Sequence, residues 1–475
     1  MKILFVEPPK EFWFVMGEYL PPPLGILQLA AFLEEKGDDW DLEVLDCQAQ
    51  RVGWKKLKRR LESSDPDLVV VSALATCNTY TVLRTVSLVK MIDPGIKTVV
   101  GGQHFSALAQ ESLEKYPEID FIIRGEGEIT LLELAKSLDQ EKAYVNIQGL
   151  SYRYNGNVMH NPPRPLIRNL DNLPLPGYHF VEDHAHRYHF RMMAKQGAGY
   201  AMVEASRGCQ YHCTFCSQWS FWNGRYRHKS PGRVADEMEY LYQEMGISFL
   251  WLTDDNLGLG PHTRKICDEL INRGLSEDLK WFVQARSDAI IKNQETLPKL
   301  RKAGNYWVMA GLEHHDPATI NSYQKGIRTE DSRQAMDLIK DHDIFAQATF
   351  ITGDRSDSHQ SMERFREFVN HVDPDLAIFM ILTPFPGTAL YETAHTNGWL
   401  EDYNWSNYDM VHAVMPTEHL TRNEVQEELF LCYRDYYGSL KRRITGVFSK
   451  NQFKRTTYRY MAGQGLLQSL RGLIE

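Results

Sequence analysis

Short apolar runs alternate with helical patterns twice along this chain, once from residue 1 to about 145 and again from about 198 to 390. Nothing else in the sequence constrains the fold as tightly. A strand–helix–strand order makes the strands run parallel and lays helices on the sheet. In the first round, Ile3 to Val6, Leu42 to Leu45, Leu68 to Ser72, Thr98 to Val100 and Phe121 to Ile123 read as buried strands. Between them, Leu24 to Glu35, Trp54 to Glu62, Tyr80 to Met91 and Thr130 to Leu138 read as helices. This predicts a doubly wound, Rossmann-like α/β domain with its ligand beyond the carboxyl ends of the strands.

In the second round, strands are expected at Ala201 to Ala205, Phe249 to Thr253, Trp281 to Gln284, Tyr306 to Gly311, Ala346 to Thr352 and Ala377 to Leu382, with a helix from Pro231 to Met245. Pro162, Pro163, Pro165, Pro174 and Pro176 mark an extended connector. The expected organisation is therefore a first domain over 1–145, a linker over 146–197, a second βα unit over 198–390 and a helical region over 391–475. A net charge of -9 argues against general nucleic-acid binding. The apolar run at the N-terminus is too brief for a signal peptide or a span, and no stretch approaches eighteen uncharged apolar residues.

Between the first strand of the second unit and its helix lies Ser206-Arg207-Gly208-Cys209-Gln210-Tyr211-His212-Cys213-Thr214-Phe215-Cys216-Ser217. Three thiolates at C-x3-C-x2-C spacing on one loop can hold three irons of a cubane [4Fe-4S] cluster, leaving the fourth iron without a protein ligand. S-adenosylmethionine (SAM) chelates such an open iron through its amino and carboxylate groups. Structural zinc is the competing reading, but it takes four ligands. Cys47, Cys77, Cys267 and Cys432 are scattered singly, so the fourth would have to be His212 or a distant residue. The ligand count favours the cluster. Seven cysteines with this clustering fit a reducing, cytoplasmic setting rather than a disulfide framework.

The segment resembles the signature of the radical SAM superfamily, with Phe215 as its usual aromatic. That resemblance implies a partial (β/α)6 barrel with active residues at the strands' carboxyl ends, and Cys209, Cys213 and Cys216 as catalytic cluster ligands. It also implies Asp254 and Asp255 near the SAM amino group, Arg286 pairing with the SAM carboxylate, Glu313 accepting from the ribose and Gly353 admitting the adenine. The plain alternative for each is a helix cap or a structural ion pair.

The first domain resembles the cobalamin-binding domain of B12-dependent radical SAM proteins. Its strand-end loops are Ser72-Ala73-Leu74-Ala75-Thr76, Gly101-Gly102-Gln103-His104 and Gly125-Glu126-Gly127-Glu128. In such domains small residues like Ser72, Thr76, Gly101, Gly102 and Gly125 border the cofactor. The usual Asp-x-His-x-x-Gly motif is absent, because Asp46-Cys47-Gln48 puts Gln48 where the histidine would stand. His104 is a weaker candidate ligand to cobalt, since a histidine in a Gly-rich loop more often bonds to phosphate or backbone.

Ser217-Gln218-Trp219-Ser220-Phe221-Trp222, Thr383-Pro384-Phe385-Pro386-Gly387-Thr388 and Tyr408-Asp409-Met410-Val411, with the domain order, resemble the anaerobic magnesium-protoporphyrin IX monomethyl ester oxidative cyclase group. The implied activity is radical functionalisation of an unactivated carbon, as in closure of the chlorophyll fifth ring. Relatives of the same architecture are C-methyltransferases that transfer methyl from methylcobalamin; a non-catalytic B12 or tetrapyrrole sensor is a third reading. The expected cofactors are a [4Fe-4S] cluster, SAM and cobalamin, served by an electron donor such as flavodoxin or ferredoxin. Trp219, Trp222, Tyr226 and Trp307 suit a large, flat or hydrophobic substrate, and core packing explains them about as well. His184, His186 and His189 read as a surface or substrate-facing segment rather than a metal site. After residue 395 the chain turns helical and then basic (Lys441, Arg442, Arg443, Lys450, Lys454, Arg455, Arg459, Arg471), facing only Glu475. This cap suits substrate propionates or a peripheral contact with an anionic membrane, with a solvated, charge-balanced helix pair as the default.

Overall fold

The computed structural model describes residues 1–9, 19–73, 75–192 and 198–471, with residues 465–471 described by backbone alone. Leu74 and Glu475, and the side chain of Arg471, lie outside the described residues. In the first domain β1 (Lys2–Glu7), β2 (Asp41–Asp46), β3 (Leu68–Ser72), β4 (Lys97–Gly101) and β5 (Phe121–Ile123) form a parallel sheet in the order 2-1-3-4-5. Ile3 to Val6 and Leu68 to Val71 are buried on both faces, which is why these strands read as continuous apolar runs. Helices at Leu24–Lys36, Trp54–Ser64, Thr79–Ile92 and Glu128–Asp139 match the sequence expectation to within two residues at each end.

Residues 150–160 were expected within the linker and instead extend the sheet. β6 (Leu150–Tyr154) pairs antiparallel with β5, and β7 (Asn157–His160) pairs antiparallel with β6. The Asn155–Gly156 turn that joins them has positive φ at both positions, the geometry of a tight hairpin. Beyond it the connector is tied to both sheets. The Tyr188 hydroxyl donates to Asp46 Oδ2 (2.9 Å), while the Tyr178 hydroxyl donates to the Met202 carbonyl (3.1 Å) and Glu237 Oε1 (3.0 Å). His184 and His189 are half-buried and His186 is exposed. His189 Nδ1 bonds to the Arg187 carbonyl.

The second sheet is parallel throughout and runs in sequence order: β8 (Gly199–Val203), β9 (Ile247–Leu252), β10 (Lys280–Arg286), β11 (Asn305–Glu313), β12 (Phe345–Thr352) and β13 (Leu376–Ile381). This is the open six-stranded barrel the sequence predicted. Its last strand is an edge, and the C-terminal helix Arg422–Gly438 covers it with two tyrosines. The Tyr437 hydroxyl donates to the Ala377 carbonyl (2.7 Å) and accepts from its N–H (3.0 Å). The Tyr433 hydroxyl does the same for Phe379, at 2.9 and 3.2 Å. Four residues of helix rise about 6 Å and two residues of strand about 6.6 Å, so an i, i+4 tyrosine pair can serve alternate strand residues. An exposed edge that would invite pairing is thereby satisfied. No helix among the described residues is long and apolar enough to cross a membrane.

Candidate functional site

The carboxyl ends of both sheets open into one cavity of about 670 Å³. Ser72, Ala75, Gly101, Gly102 and Gly125 line it from the first domain, and Trp251, Thr253, Asp255 and Gln284 from the second. Gly102 needs its left-handed backbone (φ 101°), and a Cβ there would run into the Ala73 carbonyl. At Gly125 (φ 74°) a Cβ would meet nothing within 4 Å, so the backbone itself is the wall. A flat ligand can thus lie against main chain on this side.

Thr76 does not share that wall. It is buried, its carbonyl accepts from the Thr79 hydroxyl (2.7 Å), and it is not among the lining residues. His104 is buried as well, edge-on to Trp405 (4.9 Å between centroids), and lies outside the lining. Burial pushes its imidazole down to about 4, so it stays neutral at ordinary pH. Gln48 does line the cavity, and its Nε2 donates to the Pro8 carbonyl (3.2 Å).

On the second sheet the cysteine loop leaves β8 through Gly208, whose φ of 87° lets the chain pass the Arg225 carbonyl where a Cβ would collide. The loop is pinned by main chain. The Thr214 N–H donates to the Tyr323 carbonyl (3.0 Å), the Leu390 N–H to the Thr214 carbonyl (3.0 Å) and the Cys216 N–H to the Cys213 carbonyl (3.1 Å). Phe215 packs edge-on to Tyr323 at 5.1 Å. Burial pushes all three thiols up, Cys216 to about 12, while the neighbouring cations of Lys325 and Arg286 oppose the shift at Cys213. Among the described residues no three His, Cys, Asp or Glu groups gather closely enough to hold a single metal ion. Three thiols on a pinned loop with cations beside them suit an anionic iron–sulfur cube, in which each sulfur binds a different iron.

The acidic pair after β9 divides. Asp254 is buried, accepts from the Ser206 hydroxyl and lies 3.4 Å from the Ala205 N–H, anchoring the strand end that feeds the loop. Asp255 faces the cavity. Burial pushes both carboxyls up to about 7. Arg286 sends Nε (3.0 Å) and Nη2 (3.3 Å) to Asp288 and stacks 3.6 Å over Tyr211 of the cysteine loop. Its carboxylate partner is therefore internal, and its guanidinium props the loop. Glu313, buried and in a left-handed conformation (φ 62°) at a bulge of β11, is paired with the half-buried Lys325. Gly353 (φ 78°) backs onto Val425 Cγ1, 2.8 Å from where a Cβ would stand, instead of bordering the cavity.

Sequence reasoning missed the groups that join the two sheets. Arg207, two residues before Cys209, is fully buried between the domains. Its Nη1 meets Glu126 Oε1 (2.9 Å), its Nη2 Glu128 Oε1 (2.7 Å) and its Nε Glu204 Oε1 (2.8 Å). Arg227 shares Glu126 at 2.8 Å. Nearby, the Ser217 hydroxyl donates to Gln103 Oε1 (2.6 Å), and Gln103 Nε2 donates to Gln218 Oε1 (3.0 Å). The only sequence signal was an arginine and two glutamates lodged among motif residues. Of the candidate aromatics, Trp222 lines the cavity, Trp219 stacks on His212 at 3.8 Å, Tyr226 donates to the Leu257 carbonyl, and Trp307 is core, stacked on Phe282 at 4.0 Å.

The B12 binding domain family matches residues 16–135, and the Radical SAM superfamily matches residues 203–369. An uncharacterized methyltransferase of Pyrococcus horikoshii is 31% identical over 95% of this chain and 96% of its own length. The anaerobic magnesium-protoporphyrin IX monomethyl ester cyclase of Cereibacter sphaeroides is 28% identical over 92% of this chain and 70% of its own. Among solved structures, the cobalamin-dependent SAM radical enzyme OxsB, with aqua-cobalamin and SAM bound, superposes at a TM-score of 0.74 and 18% identity, covering 98% of this chain and 71% of its own. The radical SAM methyltransferase TsrM of Kitasatospora setae, with cobalamin and a [4Fe-4S] cluster, gives 0.70 at 18% identity over 92% and 88%.

Proposed function

Because this chain belongs to the family of radical SAM enzymes that carry a B12-binding domain, we propose that it transfers a methyl group to an unactivated carbon of a large, hydrophobic substrate. One observation carries the reading. The glycine-lined strand ends of the first sheet and the Asp255 end of the second face a single continuous cavity. A substrate carbon held there lies between two cofactor sites, the arrangement that a two-cofactor transfer needs.

When bound, the cluster and SAM supply a 5'-deoxyadenosyl radical and the corrinoid supplies the methyl group. Cys209, Cys213 and Cys216 hold the cluster, while Lys325 and Arg286 place positive charge beside it. Asp255 presents a carboxyl to the cavity. Trp222, Trp251 and Phe385 give the cavity apolar walls that position a hydrophobic substrate and keep water off a reactive carbon. The Arg207 cluster and the Gln103–Gln218 bond fix the spacing between the two strand ends.

A second reading, oxidative cyclisation, is favoured by the similarity to three anaerobic cyclases, at 25–28% identity over 88–98% of this chain. Holoenzyme prepared without oxygen, with its corrinoid reduced and methyl-free so that the cobalt can accept a methyl group from SAM, and given SAM and a low-potential reductant, separates the readings. Methyl transfer yields both S-adenosylhomocysteine and 5'-deoxyadenosine. 5'-Deoxyadenosine without S-adenosylhomocysteine assigns the cyclase reading, and the absence of both products defeats the two together.

A further inference from the structure

The helix Leu440–Val447 turns its apolar side outward. Leu440 is 71% exposed, Ile444 52% and Phe448, the next residue after the helix, 75%. At 3.6 residues per turn these three positions fall within a sector of about 80°. The inward side is occupied by different groups. Gly446 is buried so closely against the Tyr458 ring that a Cβ would strike it, and Arg442 pairs with Asp373 at 2.8 Å while covering the Tyr436 ring at 3.8 Å. The orientation is therefore fixed by packing, and the apolar stripe has been left on the surface.

Charge frames the stripe. Lys441 and Arg443 lie on opposite flanks of it, and both are exposed. Lys450 and Arg459 add exposed cations nearby, and no Asp or Glu occurs between Asp435 and Glu475. None of these four cations pairs with a carboxylate among the described residues, although the chain as a whole carries a net charge of -9. Arg443 Nε is turned to the Tyr437 carbonyl (2.6 Å), leaving its positive charge without an anionic partner there. A contiguous apolar strip bordered on both sides by unneutralised cations is complementary to a surface with an apolar interior and anionic head groups.

We propose that the face formed by Leu440, Ile444 and Phe448, with Lys441 and Arg443 at its edges, docks this protein on an anionic lipid bilayer. The helix lies in the plane of the interface, its three apolar side chains enter the acyl boundary, and the basic residues meet the head groups. The docking is peripheral. It is independent of the methyl-transfer reading and rests on a surface outside the cavity.

Flotation of the intact protein with vesicles tests this. Phosphatidylcholine vesicles are compared with the same lipid containing about 30% phosphatidylglycerol, at about 0.1 M and about 0.5 M salt. The protein is expected to float with the anionic vesicles, to release at high salt, and to bind neutral vesicles weakly. Lys441→Gln with Arg443→Gln should weaken anionic binding by about 25-fold, at roughly five-fold per basic residue. Phe448→Ser should weaken it further without disturbing the fold, since the side chain is largely exposed. Parent protein that stays unbound in all four conditions, or binds both lipids equally whatever the salt, overturns the proposal. So does a homodimer that Phe448→Ser dissociates while vesicle binding is absent, which would give the face to a second copy.

Discussion

Arg207 Nη2 lies 2.7 Å from Glu128 Oε1 in a fully buried pair that crosses from the cysteine loop to the last strand-end loop of the first domain. Burial alone pushes the Glu128 carboxyl up, yet Arg207 outweighs it and holds the group below its ordinary value. The glutamate is therefore ionised, and removing the arginine would strand it, while Glu126 would keep its pair with Arg227. Arg207→Met is expected to destabilise the protein by about 3–5 kcal/mol in urea unfolding. Adding Glu128→Gln should restore part of that loss, because one stranded charge disappears. A single variant within about 1 kcal/mol of the parent would mean that water reaches this network and that the domain junction is looser than its geometry.

Gly311 leaves room for the pair between buried Glu313 and half-buried Lys325. A Cβ at Gly311 would contact Glu313 Oε1 and stand 2.8 Å from Lys325 Nζ. Gly311→Ala should therefore push these two flexible side-chain ends aside, at a cost of up to about 1 kcal/mol. Gly25 is the control, being helical with nothing within 4 Å of its Cβ position. Gly25→Ala should be neutral or stabilising by up to about 1 kcal/mol. Thermal unfolding of the two variants side by side decides the matter, and equal stabilities would count against the crowding.

The strands of both sheets were legible because continuous apolar runs bounded by turn residues have few other uses, and Phe121 to Ile123 was placed to the residue. The cysteine motif was legible because its three residues lie in one short segment. The partners of Arg207 were not, since Glu128 is 79 residues away and Glu126 is 81. Lys325 carried no motif, and only the bulge after Gly311 brings Glu313 to it. Strand-end position alone overstated Thr76 and Gly353. The first folds inward onto its own helical turn, and the second is covered by a helix from the C-terminal region. Residues 150–160 were misread as linker because the proline cluster that follows them dominated the local composition.

Cys213→Ala should abolish the iron–sulfur absorbance of anaerobically reconstituted protein and reduce reductant-dependent 5'-deoxyadenosine formation to background. The loop itself should survive the change. Its anchors at Thr214, the N–H to the Tyr323 carbonyl and the carbonyl from the Leu390 N–H, are made by main chain. Unchanged circular dichroism alongside lost absorbance is the expected pair of readings. Parental SAM cleavage in this variant would remove Cys213 from the ligand set.

Asp254 ties stability to pH. Burial pushes its carboxyl from 3.8 up to about 7, against the opposing bonds from Ser206 and Ala205. The folded state thus holds this proton more tightly than the unfolded chain does. The associated stability is fully present below about pH 4 and is lost as pH rises through about 7. Between about pH 5 and about pH 8 the loss is on the order of 2–3 kcal/mol. Asp254→Asn removes the titration, and with its amide oxygen toward the Ala205 N–H its amide N–H can donate to the Ser206 hydroxyl oxygen. Urea unfolding of parent and variant at those two pH values should show the parent falling more steeply, with Asp255 relieved of its charged neighbour in the variant. Parallel pH dependence in the two proteins would show that water or a neighbouring cation already stabilises the ionised form of Asp254.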